Sequence, residues 1–144
     1  MQDITTLSRR LRLAAIVFAA GSAIHVADHL RRGQGSTNDT LLALGNVALV
    51  LQVLVVTLVL VGHPSAPCVA AVLGPALAIG FTAAHWLPHW GEASDPVWQV
   101  ESWRWVTVIA SLAEILGAIA LGVSGSLVLR RQWRGVPFGT EEAS

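Results

Sequence analysis

The sequence predicts an all-α membrane protein, a four-transmembrane-helix up-down bundle with both termini in the cytoplasm. Hydrophobic residues make up 53% of its 144 residues and charged residues only 12%, against roughly 25% charged residues in an average soluble domain. Four apolar runs each come close to the length of about 20 residues that a helix needs to cross a bilayer. The links between the runs are short, and short links favour antiparallel neighbours.

The predicted spans belong to a single membrane domain that covers residues 1–144. They are the runs 13–30, 41–62, 66–87 and 106–129. Asp39 or Thr40 is expected to cap the second helix, because short polar side chains accept hydrogen bonds from the free N–H groups of a first helical turn. Pro88 disfavours helix at Leu87, so the third helix is expected to end there.

The distribution of arginine predicts the orientation. Six arginines lie near the termini and three lie in the predicted outer loops, 31–40 and 88–105. Positively charged segments stay preferentially in the cytoplasm, so we expect a multi-pass protein of the plasma (inner) membrane. Arginine without lysine, beside abundant alanine and valine, is typical of a GC-rich bacterial genome. A cleaved signal peptide is the alternative for the first run, which however continues to Leu30 without a polar cleavage region.

Five of the six tryptophans lie between residues 86 and 105. Indole rings favour the headgroup level of a bilayer, so most of these residues are expected to form an interfacial belt. The alternative is that loop 88–105 lies flat on the membrane as a lid.

Polar residues recur in the outer half of all four predicted spans. Such groups are costly in hydrocarbon and usually face the interior of a bundle. Helical spacing places most of them on shared faces within their spans. We therefore expect a polar pocket that is open to the outside and closed below. Its predicted members are His25, Asp28, His29, His85, His89 and Glu114, together with Ser22, Asn46, Thr82, Thr107 and Ser111.

A transition-metal site is the first functional hypothesis. Imidazole and carboxylate ligands suit zinc, copper, nickel or iron. His25 and His29 are four residues apart and can bind one ion from a single helix face. His85 and His89 are expected on the opposing side, and Asp28 either binds the ion or orients an imidazole.

Two hypotheses assign other chemistry to the same pocket. A b-type haem in an electron-transfer subunit would use one histidine from each of two helices, His25 or His29 with His85. A small membrane enzyme would instead perform acid–base chemistry on a lipophilic substrate, with Glu114 and Asp28 as its catalytic groups.

A structural role is the remaining hypothesis. His25 and Glu114 would then bond each other across the bundle, and the protein would be a structural subunit of a larger assembly. The expected partners are the lipid bilayer and either a metal ion or a lipophilic small molecule. A homo-oligomer or a membrane partner protein is also compatible with the sequence. The formal net charge of zero gives no argument for nucleic acid binding.

Overall fold

The computed structural model describes residues 4–33 and 38–134, and all regular structure in these residues is helical. The α-helices are α1 (Ile4–Arg32), α2 (Asp39–Leu60), α3 (Ala66–Trp86) and α4 (Arg104–Arg134), with a short 3₁₀ helix at Val97–Gln99. All four α-helices are long and apolar enough to cross a membrane. The predicted helical class and the four candidate spans are therefore confirmed, whereas the cytoplasmic side of the termini stays a prediction.

The helix ends follow local chemistry. Leu87 has an extended backbone with ψ of 157°, as expected for the residue before a proline. The prediction that Asp39 or Thr40 caps α2 is wrong. Asn38 is the cap, because its backbone is extended and its Oδ1 accepts a hydrogen bond of 2.8 Å from the backbone N–H of Leu41.

Helix α4 lies at the centre of the bundle. Half of its apolar span, 50%, is buried, against 17% of the span in α2. Along α1, Phe18 packs on Gly117 and Gly21 packs on Ala113, so successive contacts on α1 meet successively earlier residues of α4. The two helices are therefore antiparallel.

Helices α3 and α4 are antiparallel as well. Gly74 packs on Gly122, and further along α3 the indole of Trp86 donates a hydrogen bond of 3.2 Å to Ser111 Oγ. Because α4 is antiparallel to both of its main neighbours, α1 and α3 are parallel. Their carboxyl-terminal ends consequently lie at the same end of the bundle.

Small residues bring these backbones into direct contact. A Cβ atom added to Gly74 would lie 2.5 Å from the backbone nitrogen of Gly122, and one added to Gly21 would lie 2.7 Å from the carbonyl oxygen of Ala113. Such backbone approach is a common way for helices to associate in membranes, where lipid tails are as apolar as leucine.

Helix α2 is peripheral. Its buried residues are Gln52, Val55 and Val59, and most of its exposed residues are leucine, valine or alanine. An exposed apolar surface of this kind is suited to lipid. Helix α2 therefore contributes one narrow face to the bundle, and that face carries the polar side chain of Gln52.

We predict that Gly74→Val separates α3 from α4 and lowers the free energy of unfolding by about 1–3 kcal/mol, the usual cost of overpacking. Thermal unfolding in detergent measures this effect. Gly80→Val is the matched control, because it makes the same change in the same helix where a Cβ atom meets nothing within 4 Å. Equal unfolding temperatures for the two variants would contradict the packing described here.

Candidate metal centre

Three histidines meet at the end of the bundle where α1 and α3 terminate. Each of His25, His29 and His85 offers one ring nitrogen, and these atoms all lie within 4.8 Å of one another. The Nε2 atoms of His25 and His29 are 3.1 Å apart, and the ring centroids of His25 and His85 are 4.7 Å apart. His25 and His85 are buried, and His29 is partly buried.

The dimensions of the cluster suit a transition-metal ion. A zinc–nitrogen bond is about 2.0–2.1 Å long, so two nitrogens on one tetrahedral ion are about 3.3 Å apart. The separations in the cluster begin at 3.1 Å and extend to 4.8 Å. Small side-chain movements are therefore enough to close the three rings around one ion.

The loop between α3 and α4 fixes the ring of His85. Its Nδ1 lies 3.0 Å from the backbone carbonyl oxygen of Asp95. A carbonyl oxygen only accepts hydrogen bonds, so Nδ1 carries the proton and Nε2 keeps the lone pair that a metal needs. The backbone N–H of Asp95 in turn donates to the carbonyl of Ala84 at 2.8 Å. This is the arrangement in which a second hydrogen bond orients a metal-binding imidazole.

Arg32 joins α1 to the same loop. Its guanidinium donates two hydrogen bonds to the carboxylate of Asp95, at 3.1 Å to Oδ1 and 2.6 Å to Oδ2. Burial raises the pKa of the Asp95 carboxyl, but the hydrogen bond and the positive charge of Arg32 outweigh this effect. The pKa of Asp95 therefore lies below its ordinary value of 3.8. The loop is held over the histidines by a charged pair that is mostly shielded from solvent.

Asp28 pairs with arginine and lies outside the group of atoms that could hold an ion. Its Oδ1 accepts hydrogen bonds from Nε and Nη2 of Arg31, at 3.0 and 2.8 Å. Its Oδ2 lies 3.4 Å from Nε of Arg32. The guanidinium of Arg31 also reaches Thr107 Oγ1 at 3.4 Å.

Glu114 faces the cluster from α4. It is fully buried, with 1% relative exposure. Its Oε2 lies 3.7 Å from Nε2 of His25, and its Oε1 accepts a hydrogen bond of 3.1 Å from the side chain of Gln52. The predicted meeting of a histidine and a carboxylic acid inside the bundle is thus present.

The other predicted pocket residues divide into two groups. Ser22, Thr107 and Ser111 are buried in the bundle. Asn46, Thr82 and His89 are exposed, contrary to the expectation that they line the pocket. The pocket is also less open than expected, because His25 and His85 are buried and the loop between α3 and α4 contacts His85 through the carbonyl of Asp95.

The exposed positions have simple causes. Asn46 and Gln52 are six residues apart and point about 120° apart around the helix, and α2 turns Gln52 inward. Thr82 satisfies its hydroxyl by donating to the carbonyl of Ala78 at 2.7 Å. His89 follows the end of α3, and its Nδ1 contacts Ser94 Oγ at 3.1 Å.

The sequence did not reveal three groups that hydrogen-bond to the centre, namely Arg32, Gln52 and the carbonyl of Asp95. Gln52 had a detectable signal, since it is the deepest strongly polar residue in the second apolar run. Arg32 and the carbonyl of Asp95 join the centre only because the loop between α3 and α4 folds back over the end of α1. No spacing in the sequence indicates which loop acid reaches Arg32.

The geometry is unfavourable for haem. Two axial histidines must approach the iron from opposite faces of the porphyrin, which keeps their rings apart. Here the rings of His25 and His85 touch edge to face, with centroids 4.7 Å apart. Gly21 offers no room for a porphyrin because it packs on the backbone of α4.

Comparison with protein-family models, with curated proteins and with solved structures found no match to this chain. The function of the centre is therefore inferred from its geometry and its chemistry.

We predict that Asp95→Asn lowers the free energy of unfolding by about 1.5–3 kcal/mol, because Arg32 loses a charged hydrogen-bond partner and keeps only the longer contact with Asp28. The pKa of Asp95 lies below 3.8, so this stabilisation is present above that pH and is lost as the pH falls through the lowered pKa. Denaturation monitored by tryptophan fluorescence between pH 7 and pH 3 measures it.

Glu101→Gln is the matched control, because it removes an acid from an exposed position of the same loop. Exposed substitutions usually change stability by no more than about 0.5 kcal/mol. Equal stability of the two variants at neutral pH would show that the pair between Arg32 and Asp95 does not hold the loop.

Proposed function

We propose that this protein binds a transition-metal ion inside its membrane bundle, through His25, His29 and His85. The observation that carries the proposal is the convergence of three ring nitrogens, from two different helices, within 4.8 Å. The ion would serve for sensing, for delivery or as a cofactor. The proposed location is the plasma (inner) membrane of a bacterium, with both termini cytoplasmic and the centre toward the outer face.

Burial supports a ligand-binding role over a purely structural one. Nδ1 of His25 is buried and has no hydrogen-bond partner among the described residues. An unsatisfied buried polar atom costs about 1–3 kcal/mol. A packed core would avoid this cost with an apolar side chain. The imidazole is nonetheless present, with its Nε2 turned toward His29, which supports a role for that nitrogen in binding an ion.

Without an ion, Arg32 and the histidines form a chain of hydrogen bonds. Its Nη2 lies 2.9 Å from Nδ1 of His29 and donates a hydrogen bond to it, since a guanidinium cannot accept one. His29 then carries its proton on Nε2 and donates it to Nε2 of His25, 3.1 Å away. If His29 held an ion through Nε2, its ring proton would move to Nδ1, and Arg32 could then no longer donate a hydrogen bond to that nitrogen.

We predict that the protein, purified in detergent and reconstituted with Zn²⁺, holds about one equivalent of metal. His25→Ala and His85→Ala are each expected to lower the Zn²⁺ affinity by more than about a hundredfold. Removal of a group that only hydrogen-bonds a metal ligand already costs about ten- to hundredfold. Titration calorimetry and elemental analysis measure the affinity and the stoichiometry.

His89→Ala is the matched control, because it removes an exposed histidine of the same end of the bundle. It is expected to bind metal as the wild type does. Wild-type protein that retains less than about 0.1 equivalent of zinc, copper, nickel or iron after reconstitution would refute the proposed function.

A further inference from the structure

One carboxylate oxygen of Glu114 is left without a hydrogen bond in the part of the chain that the structure describes. Its Oε2 is buried and has no hydrogen-bond partner among the described residues. The Ser22 hydroxyl interacts with the same carboxylate, but without the geometry of a hydrogen bond. The nearest charged or chargeable group to Oε2 is Nε2 of His25, 3.7 Å away. The free oxygen therefore points to the side of the histidine cluster.

Gln52 holds the carboxylate in this orientation. Its amide N–H donates a hydrogen bond of 3.1 Å to Oε1 of Glu114, and it is the buried polar residue of α2. One oxygen is thus anchored to a neighbouring helix, and the other is left for a different partner. Ligating carboxylates in metal sites are commonly held by a hydrogen bond of this kind.

Charge provides an independent argument. Three neutral imidazoles leave the full charge of a divalent ion uncompensated in a region of low dielectric constant, which is costly. Among the described ion pairs, Asp28 is paired with Arg31 and Asp95 with Arg32. Glu114 contacts no arginine, so it is the acid with a charge available to an ion in the cluster.

The distance to His25 fits direct coordination. Glu114 lies outside the group of atoms that are all within 4.8 Å of one another, so its carboxylate has to move toward the other two histidines to bind the same ion. Two ligand atoms on one tetrahedral ion are about 3.3–3.5 Å apart, close to the 3.7 Å between Oε2 and His25 Nε2. Three imidazoles and one carboxylate suit Zn²⁺ or Fe²⁺, whereas Cu⁺ prefers sulfur ligands. The cluster in the described residues contains no sulfur ligand.

We infer that Glu114 is the fourth ligand of the centre, and that it selects a divalent ion over Cu⁺. This inference rests on the proposed metal-binding function. It assigns to Glu114 a direct bond to the ion through Oε2, and to Gln52 the role of a positioning residue.

Glu114→Gln tests the assignment. It keeps the volume of the side chain and an oxygen that can accept from Gln52, but it removes the negative charge. Zn²⁺ affinity, measured by competition with a chromophoric chelator, is expected to fall about tenfold or more. Cu⁺ affinity is expected to change much less, so the ratio of the two affinities falls. Glu101→Gln is the matched control, since it removes one exposed acid and is expected to bind both ions as the wild type does.

The outcomes separate the two proposals. Wild-type protein that binds no Zn²⁺ refutes both the metal centre and the role of Glu114. Zn²⁺ binding by the wild type and equally by Glu114→Gln refutes only the fourth ligand. If Glu114→Gln does not fold, Gln52→Leu provides the test, because it keeps the charge and removes the anchoring bond. An affinity of Gln52→Leu equal to that of the wild type would then overturn the inference.

Discussion

The backbone of α4 packs directly against the backbones of α1 and α3, and the position of the histidine cluster depends on this contact. Glycine at the crossing points allows the approach, since a side chain at Gly21 or Gly74 would collide with the opposing main chain. Helices α1 and α3 become parallel because each is antiparallel to α4. His85 therefore reaches the same level as His25, although sixty positions separate them in the sequence.

Charge pairing determines the chemistry of that end of the bundle. Low dielectric surroundings make an unpaired charge costly, and each arginine near the cluster has an acid beside it. Asp95 has two roles, because its carboxylate binds Arg32 while its carbonyl orients His85. The loop between α3 and α4 is thus linked to both helices that supply the histidines. A movement of Asp95 consequently affects the centre through two hydrogen bonds, one to Arg32 and one to His85.

Much of the centre could be predicted from the sequence, and the two misplaced helical residues share one cause. His25 and His29 share a face by spacing alone, and His85 lies at the matching end of a parallel span. Asn46 and Thr82 were misplaced because the rotation of a helix about its axis is poorly encoded in membrane sequences. Leucine and valine suit lipid as well as they suit a protein core. The apolar pattern of α2 therefore does not show whether Asn46 or Gln52 faces inward.

The sequence by itself determined the number of helices, their approximate ends and the end of the bundle where polar groups collect. These features follow from local hydrogen bonding and from the cost of placing each segment in an apolar medium, both of which act within one segment. Only the tertiary structure decided that Asn38 caps α2, that Arg32 binds Asp95 and that Gln52 anchors Glu114. The partners of the last two pairs are 63 and 62 residues apart in the chain. The packing of α4 and the path of the loop between α3 and α4 bring them together.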